Sequence, residues 1–241
     1  MWSEAAQTMP VAQLRELQLT RLKALLELVH GRVDFYRRRL DQAGVAPSSV
    51  TSLDDLARVP FTAKYDLREV FPFGLFAVPA AEIVEVHMSS GTTGKPVVGG
   101  YTRADLELWQ EVMARTLDAG GLHAGDVIQV AYGYGLFTGG LGGHYGGTKL
   151  GAMTLPMSSG NTYRQLNTMA DFGTTALLCT PSYALYIAEQ AREQGVDLAS
   201  GPLRAGFFGA GPWSCEMRAD IEAKLGMKAY EIYGLTEMVG T

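Results

Sequence analysis

The apolar positions of the first forty residues recur at helical spacing. Leu14, Leu17, Leu22, Leu25, Leu26, Val29, Val33, Tyr36 and Leu40 lie mostly three or four apart, which predicts one amphipathic helix over residues 10–40. Pro10 suits its first position, and Gly44 with Pro47 closes the unit. Beyond it, up to about residue 80, the chain shows no regular period. It carries Phe61, Tyr65, Phe71, Phe73 and Phe76, an aromatic cluster expected to pack against the main domain. From residue 81 the pattern becomes regular. Val84, Val86 and Met88 alternate with Glu85 and His87, the pattern of a half-buried strand. Thr102-Arg103-Ala104-Asp105 has the form of a capping box, opening a helix that runs to Gly120-Gly121.

Apolar, strand-like runs follow at 127–132, 152–155, 175–179, 203–208 and 228–233. Helix-length segments lie between them, at about 136–150, 161–172, 182–194 and 214–225. Strand–helix–strand alternation implies parallel pairing through right-handed crossovers. The expected fold is therefore α/β: a mostly parallel sheet with helices on both faces over residues 81–241, preceded by an N-terminal helix and a loop-rich segment over 1–80.

Composition narrows the classes of partner. Twenty Lys+Arg against twenty-five Asp+Glu give a net charge of −5, with no basic block, which argues against nucleic acid as a main partner. Cys179 and Cys215 are the two cysteines, too few for a disulfide framework or a four-cysteine zinc site. Cys179 sits in the apolar run Ala176-Leu177-Leu178-Cys179, where a reduced, buried thiol is expected. The N-terminus has no signal-peptide pattern, and no apolar run approaches the ~20 residues that span a bilayer. A cytoplasmic protein without a membrane partner is the expectation.

In parallel sheets ligands bind beyond the carboxyl ends of the strands, and the unusual residues fall in such turns. Ser89-Ser90-Gly91-Thr92-Thr93-Gly94-Lys95-Pro96 combines glycines, which let backbone N–H groups converge on an anion, with hydroxyl donors and one cation. That is the chemistry of a polyphosphate cradle. Pro96 stands where a Walker A loop has its second glycine, so it is not that motif.

Tyr132-Gly133-Tyr134-Gly135-Leu136-Phe137-Thr138-Gly139-Gly140 sets aromatic walls among glycines. The pattern serves either a flat ligand or plain packing. His144 is open to two readings, a donor or base at a site and a satisfied structural histidine. Phe208-Gly209-Ala210-Gly211-Pro212-Trp213 lies at another strand end. Glu231-Ile232-Tyr233-Gly234-Leu235-Thr236-Glu237 follows the last strand and offers an aromatic face, a hydroxyl and a carboxylate suited to Mg²⁺.

These motifs together carry a resemblance. Residues 89–96 and Tyr233-Gly234-Leu235-Thr236-Glu237 resemble the two signatures of the adenylate-forming superfamily. The segments at 132–140, His144-Tyr145-Gly146, Cys179-Thr180-Pro181-Ser182-Tyr183, 208–213 and Pro72-Phe73-Gly74-Leu75-Phe76 narrow it to the phenylacetate–CoA ligase family. The resemblance implies ATP-dependent activation of an aryl carboxylic acid to an acyl adenylate, then transfer to coenzyme A, with Mg²⁺ as cofactor and a homodimer as one assembly state.

Carried over by motif, Ser89, Ser90, Gly91, Thr92, Thr93, Gly94 and Lys95 hold the β- and γ-phosphates. Gly209, Ala210, Gly211 and Pro212 line the adenine, Tyr233 and Gly234 bind it, Thr236 holds the α-phosphate and Glu237 the metal. Tyr132, Tyr134, Phe137, Gly139, Gly140, His144 and Ile232 belong to the acid site, and Lys95, Thr236 and Glu237 are the candidate catalytic groups. Two departures stand out: Gly211 replaces a usual glutamate, and Tyr145-Gly146-Gly147-Thr148 replaces a usual Tyr-Gly-Ala-Glu.

Family members also run on well past the second signature, after which this chain ends. The expectation is an N-terminal portion with weak nucleotide binding and little turnover alone. A non-catalytic nucleotide-binding remnant, and an adenylating enzyme with a carrier-protein or amine acceptor, are the competing readings.

Overall fold

The computed structural model describes residues 1–89 and 94–238. By contacts the chain divides into two compact units, Ser3–Arg103 and Ala104–Thr241 together with Met1–Trp2.

The first unit holds a short helix α1 (Glu4–Gln7), α2 (Val11–Arg32), α3 (Asp34–Gln42), α4 (Lys64–Glu69) and strands β1 (Glu85–Met88) and β2 (Val98–Tyr101). The single helix expected over 10–40 is two helices. Val33 is extended, φ −121° and ψ 104°, and breaks the run. An unbroken helix would carry Leu40 about 21 Å beyond Leu26 at roughly 1.5 Å per residue. The break lets both side chains enter one small core with Val45 and Val50.

The strand expected near 84–88 is present, but it does not join the parallel sheet. β1 pairs antiparallel with β2 in the register Glu85↔Tyr101 to Met88↔Val98. The candidate phosphate loop therefore leaves a hairpin rather than a strand-to-helix turn.

The second unit holds α5 (Arg103–Ala119, all but its first residue), β3 (Val127–Val130), α6 (Thr138–Leu150), β4 (Met153–Pro156), α7 (Thr162–Phe172), β5 (Ala176–Cys179), α8 (Pro181–Glu193), β6 (Ala205–Phe208), α9 (Cys215–Leu225) and β7 (Lys228–Glu231). The five strands form one sheet, in the order β4-β3-β5-β6-β7, with every pair parallel.

Alternate residues point to opposite faces. Ile128, Val130, Ala176, Leu178, Ala205 and Phe207 meet Ala114 and Leu117 of α5 and Leu150 of α6. Leu177, Cys179, Phe208 and Ala229 meet α7, α8 and α9 through Leu166, Ile187 and Ile221. Burial on both faces is why β3, β5 and β6 read as continuous apolar runs. The α/β class with helices on both faces is borne out.

Local chemistry fixes the crossovers. Thr180 caps α8 by accepting from Tyr183 N–H at 3.3 Å, with Pro181 opening the helix. Ser214 caps α9 by accepting from Met217 N–H at 3.2 Å.

α6 is less obvious, since six of its thirteen residues are glycine, each costing about 1 kcal/mol against alanine in helix propensity. Packing supplies what propensity lacks. A Cβ on Gly142 would lie 2.9 Å from the Trp109 ring, and one on Gly146 2.6 Å from Met113 Cβ, both on α5. A Cβ on Gly143 would lie 2.7 Å from Leu178 Cδ2 on the sheet. The glycines let α6 lie tight against helix and sheet at once.

Candidate functional site

In the first unit, the hairpin sets the ends of the candidate phosphate loop. Ser89 N–H donates to Val97 O at 3.0 Å, and Val97 N–H donates to Ser89 Oγ at 2.9 Å. The Ser89 hydroxyl thus clamps the base of the loop and keeps only its own proton for a phosphate. Gly94 takes φ +133°, a conformation that side chains disfavour. Lys95 is exposed, and its Nζ lies 5.7 Å from the centre of the Phe71 ring. Ser90, Gly91, Thr92 and Thr93 lie outside the described residues.

In the second unit, an apolar cavity of about 60 Å³ lies at the carboxyl ends of the strands. Tyr132, Phe137, Gly139 and Ile232 line it, together with Ala210 and Gly234. All six are among the residues expected at the acid or nucleotide site. Met113, Thr138, Gly142, Gly143 and Leu178, none of them expected there, complete the lining. Gly142 and Gly143 continue the glycine run and carried a readable signal. Met113 on α5 and Leu178 inside β5 carried none, because only the tertiary fold brings them there.

A ring needs more room than the cavity now offers, since the apolar cavity that holds benzene in another protein is roughly 150 Å³. Phe137, the cavity wall beside the Tyr132 ring, is 44% exposed.

Tyr134 and His144 are not on that lining. The Tyr134 hydroxyl faces His144 Nδ1 at 3.4 Å, and the rings meet edge to face. Burial pushes the Tyr134 phenol up to about 12 and the His144 imidazole below its usual value. Both shifts favour the neutral forms, and the imidazole tautomer sets which of the two donates. Gly140 lies behind the lining, where a Cβ would come 2.5 Å from Gly133 O; it holds the turn after β3 close to α6.

The loop after β6 is built by close approach. A Cβ on Gly209 would fall 2.3 Å from Ile232 O, so only glycine lets the ends of β6 and β7 lie together. Ala210 takes φ +62°, left-handed backbone that costs a non-glycine residue of order 1 kcal/mol or more and recurs at ligand sites. Gly211 has open space where a Cβ would be. A glutamate fits there, and Gly211→Glu is expected to change stability by less than about 0.5 kcal/mol in a thermal melt.

After β7, Tyr233 is 76% exposed, with its ring free to stack, and Glu237 is exposed with no ion pair among the described residues. Thr236 is half-buried and Pro212 exposed. No cluster of three or more His, Cys, Asp or Glu suited to a metal occurs among the described residues. One free carboxylate is nonetheless what Mg²⁺ asks of a protein when phosphates supply its other oxygens.

An apolar cavity, an exposed tyrosine and a strained glycine-rich turn lie at the strand ends of a parallel sheet, where such sheets bind ligands. The AMP-binding enzyme family model matches residues 21–241, and the chain belongs to that family. It is similar to the phenylacetate-coenzyme A ligase of Pseudomonas putida, 48% identical over 97% of this chain and 53% of the relative. The phenylacetate-coenzyme A ligase of Thermus thermophilus is 49% identical over 100% of this chain and 54% of the relative. A 2-hydroxyisobutyryl-CoA ligase solved with 2-HIB-AMP and CoA matches with a TM-score of 0.91 at 34% identity, over 96% of this chain and 51% of that one. The chain spans about half the length of the curated relatives it matches. No helix among the described residues is long and apolar enough to cross a membrane.

Proposed function

We propose that this chain carries the nucleotide- and acid-binding part of a phenylacetate–CoA ligase. The observation that carries the reading is the apolar cavity whose lining joins Tyr132, Phe137 and Ile232 to Ala210 and Gly234, residues of the loops that the nucleotide would occupy. A cavity without a charged lining residue suits a flat, uncharged ring.

In this reading the acid's carboxylate attacks the α-phosphorus of ATP, pyrophosphate leaves, and the thiol of coenzyme A then displaces AMP. The protein contributes by placing groups and by neutralising charge. Lys95 supplies a cation to the β- and γ-phosphates, and the Thr236 hydroxyl donates to the α-phosphate. Tyr233 stacks on adenine, while Gly209, Ala210, Gly211 and Pro212 leave room at its edge. Glu237 would hold Mg²⁺, which offsets phosphate charge when bound.

The test is calorimetric titration of the chain with ATP·Mg²⁺ and with AMP, repeated on Lys95→Ala. A charge-assisted hydrogen bond to phosphate contributes about 1.5–3 kcal/mol, so ATP should weaken roughly 10- to 100-fold while AMP is held as before. Equal weakening of both nucleotides, or no nucleotide binding by folded wild type, would contradict the proposal.

A further inference from the structure

We infer that Gln165 is a positioning residue for the acid site: it sets the loop after β4, and that loop holds the turn carrying Tyr132 and Phe137. The inference rests on the proposed reading of the cavity as the acid site.

The turn from Tyr132 to Phe137 supplies two walls of the cavity. Gly133 and Gly135 give it little stiffness of its own, and Gly135 sits at φ +138°. Support comes from the neighbouring loop, residues 157–161. The amides of Met157 and Ser158 both donate to Val130 O at 3.1 Å, at the end of β3. The Tyr134 amide donates to Ser158 Oγ at 3.4 Å. Ser159 Oγ stands 3.5 Å from where a Gly133 Cβ would be.

That loop needs holding in turn. Ser158 and Asn161 take φ +63° and +47°, left-handed backbone that residues other than glycine keep only where their surroundings impose it. Gln165, buried at the start of α7, imposes it. Its Nε2 donates to Ser158 O at 2.7 Å and to Gly160 O at 3.3 Å, which commits both amide protons to the loop. Tyr183 adds a second donor to Gly160 O, at 3.2 Å. The Gln165 amide is itself oriented from behind. Its Oε1 accepts from Gln129 Nε2 at 2.6 Å, and Gln129 Oε1 accepts from Thr174 Oγ1 at 3.2 Å. Gln129 and Thr174 are buried as well. A buried polar chain satisfied in this way has one arrangement. Apolar side chains could fill the same space but could not hold two carbonyls. None of Gln129, Gln165 and Ser158 lines the cavity, so Gln165 acts on the acid through the loop and the turn. Walls that receive a ring must be held by such a supporting layer.

Sulfamoyl-linked phenylacetyl-adenosine and adenosine 5′-sulfamate, titrated into wild type, Gln165→Met and Ser158→Ala with a thermal melt of each, test this. Gln165→Met removes both donors to the loop at nearly constant length, and Ser158→Ala removes only the acceptor of the Tyr134 amide. Wild type should favour the acylated compound roughly 10- to 100-fold through burial of its ring. Both variants should lose most of that advantage while holding adenosine 5′-sulfamate as wild type does. A merely structural glutamine would lower the melting temperature without changing the ratio of the two affinities. Folded variants that keep the full advantage, or that weaken both compounds equally, would overturn the inference and leave the acid-site reading standing. Ser158→Ala decides the matter should Gln165→Met fail to fold. A wild type without the advantage would overturn the acid-site reading and the inference with it.

Discussion

Replacing Asp126 by asparagine should cost about 2–3 kcal/mol of stability, read as a drop in the denaturant midpoint. Asp126 is 2% exposed just before β3, at the amino ends of the strands, opposite the cavity. Its carboxylate accepts from Thr175 Oγ1 at 2.7 Å and His123 N at 2.8 Å. It also accepts from Arg204 Nε at 3.1 Å and Nη2 at 2.5 Å. Burial opposes ionisation here, but the Thr175, His123 and Arg204 donors outweigh it and hold the carboxyl below its ordinary value.

Asparagine keeps the shape and loses the charge, leaving Arg204 without its counter-ion. Arg204 is 41% exposed, and its remaining hydration places the loss below that of a fully buried pair. The sign of the pH dependence follows. A depressed folded value stabilises the protein above the unfolded carboxylate range, near pH 4. The contribution is lost as pH falls through the folded value. The gap between wild type and Asp126→Asn should be full at pH 7 and narrow below about pH 4. A gap that stays constant down to pH 2 would show that packing rather than charge was lost.

Gly209→Ala should be comparably damaging for a different reason. The obstacle is the backbone oxygen of Ile232, 2.3 Å from the new methyl, and Ile232 N–H donates to Phe208 O at 2.9 Å. Neither can shift without opening the last rung between β6 and β7. Overpacking against backbone costs roughly 1–3 kcal/mol, and the displaced Ile232 is a wall of the cavity. Stability and acyl-adenylate binding should therefore fall together, whereas Gly211→Glu, two residues on, should leave stability unchanged. Equal stability of Gly209→Ala and wild type in a melt would contradict the close approach.

The crossovers were legible because the central strands β5 and β6 are buried on both faces and several helices start or stop on chemistry that a sequence displays, as at Thr180-Pro181 and at Gly226, which ends α9 with φ +65°. The break at Val33 was not legible. The apolar period continues through it, and only the sharing of a core by Leu26 and Leu40 demands a turn. The hairpin was missed because β2, Val98-Gly99-Gly100-Tyr101, has two glycines and little strand character. A Cβ on Gly100 would meet the Phe76 ring at 2.5 Å, a packing reason that no local pattern reveals.

At the candidate site the loop residues were visible as oddities of composition. The cavity's back wall, Met113 and Leu178, was not, because both read as ordinary core. His144 is a different case. A lone histidine beside an aromatic loop is open to a site role and a structural one in sequence, and the structure packs it against Tyr134 and Tyr145, off the cavity lining.

The central claim is that the cavity receives the acyl group of an aryl adenylate. Its most direct test compares sulfamoyl-linked phenylacetyl-adenosine with adenosine 5′-sulfamate, which lacks the acyl arm, by titration into the same chain. Burying an aromatic ring contributes about 1.5–3 kcal/mol, so the acylated compound should bind roughly 10- to 100-fold tighter. Equal affinities, with both compounds binding, would mean that the ring finds no cavity and that the chain recognises only the nucleotide.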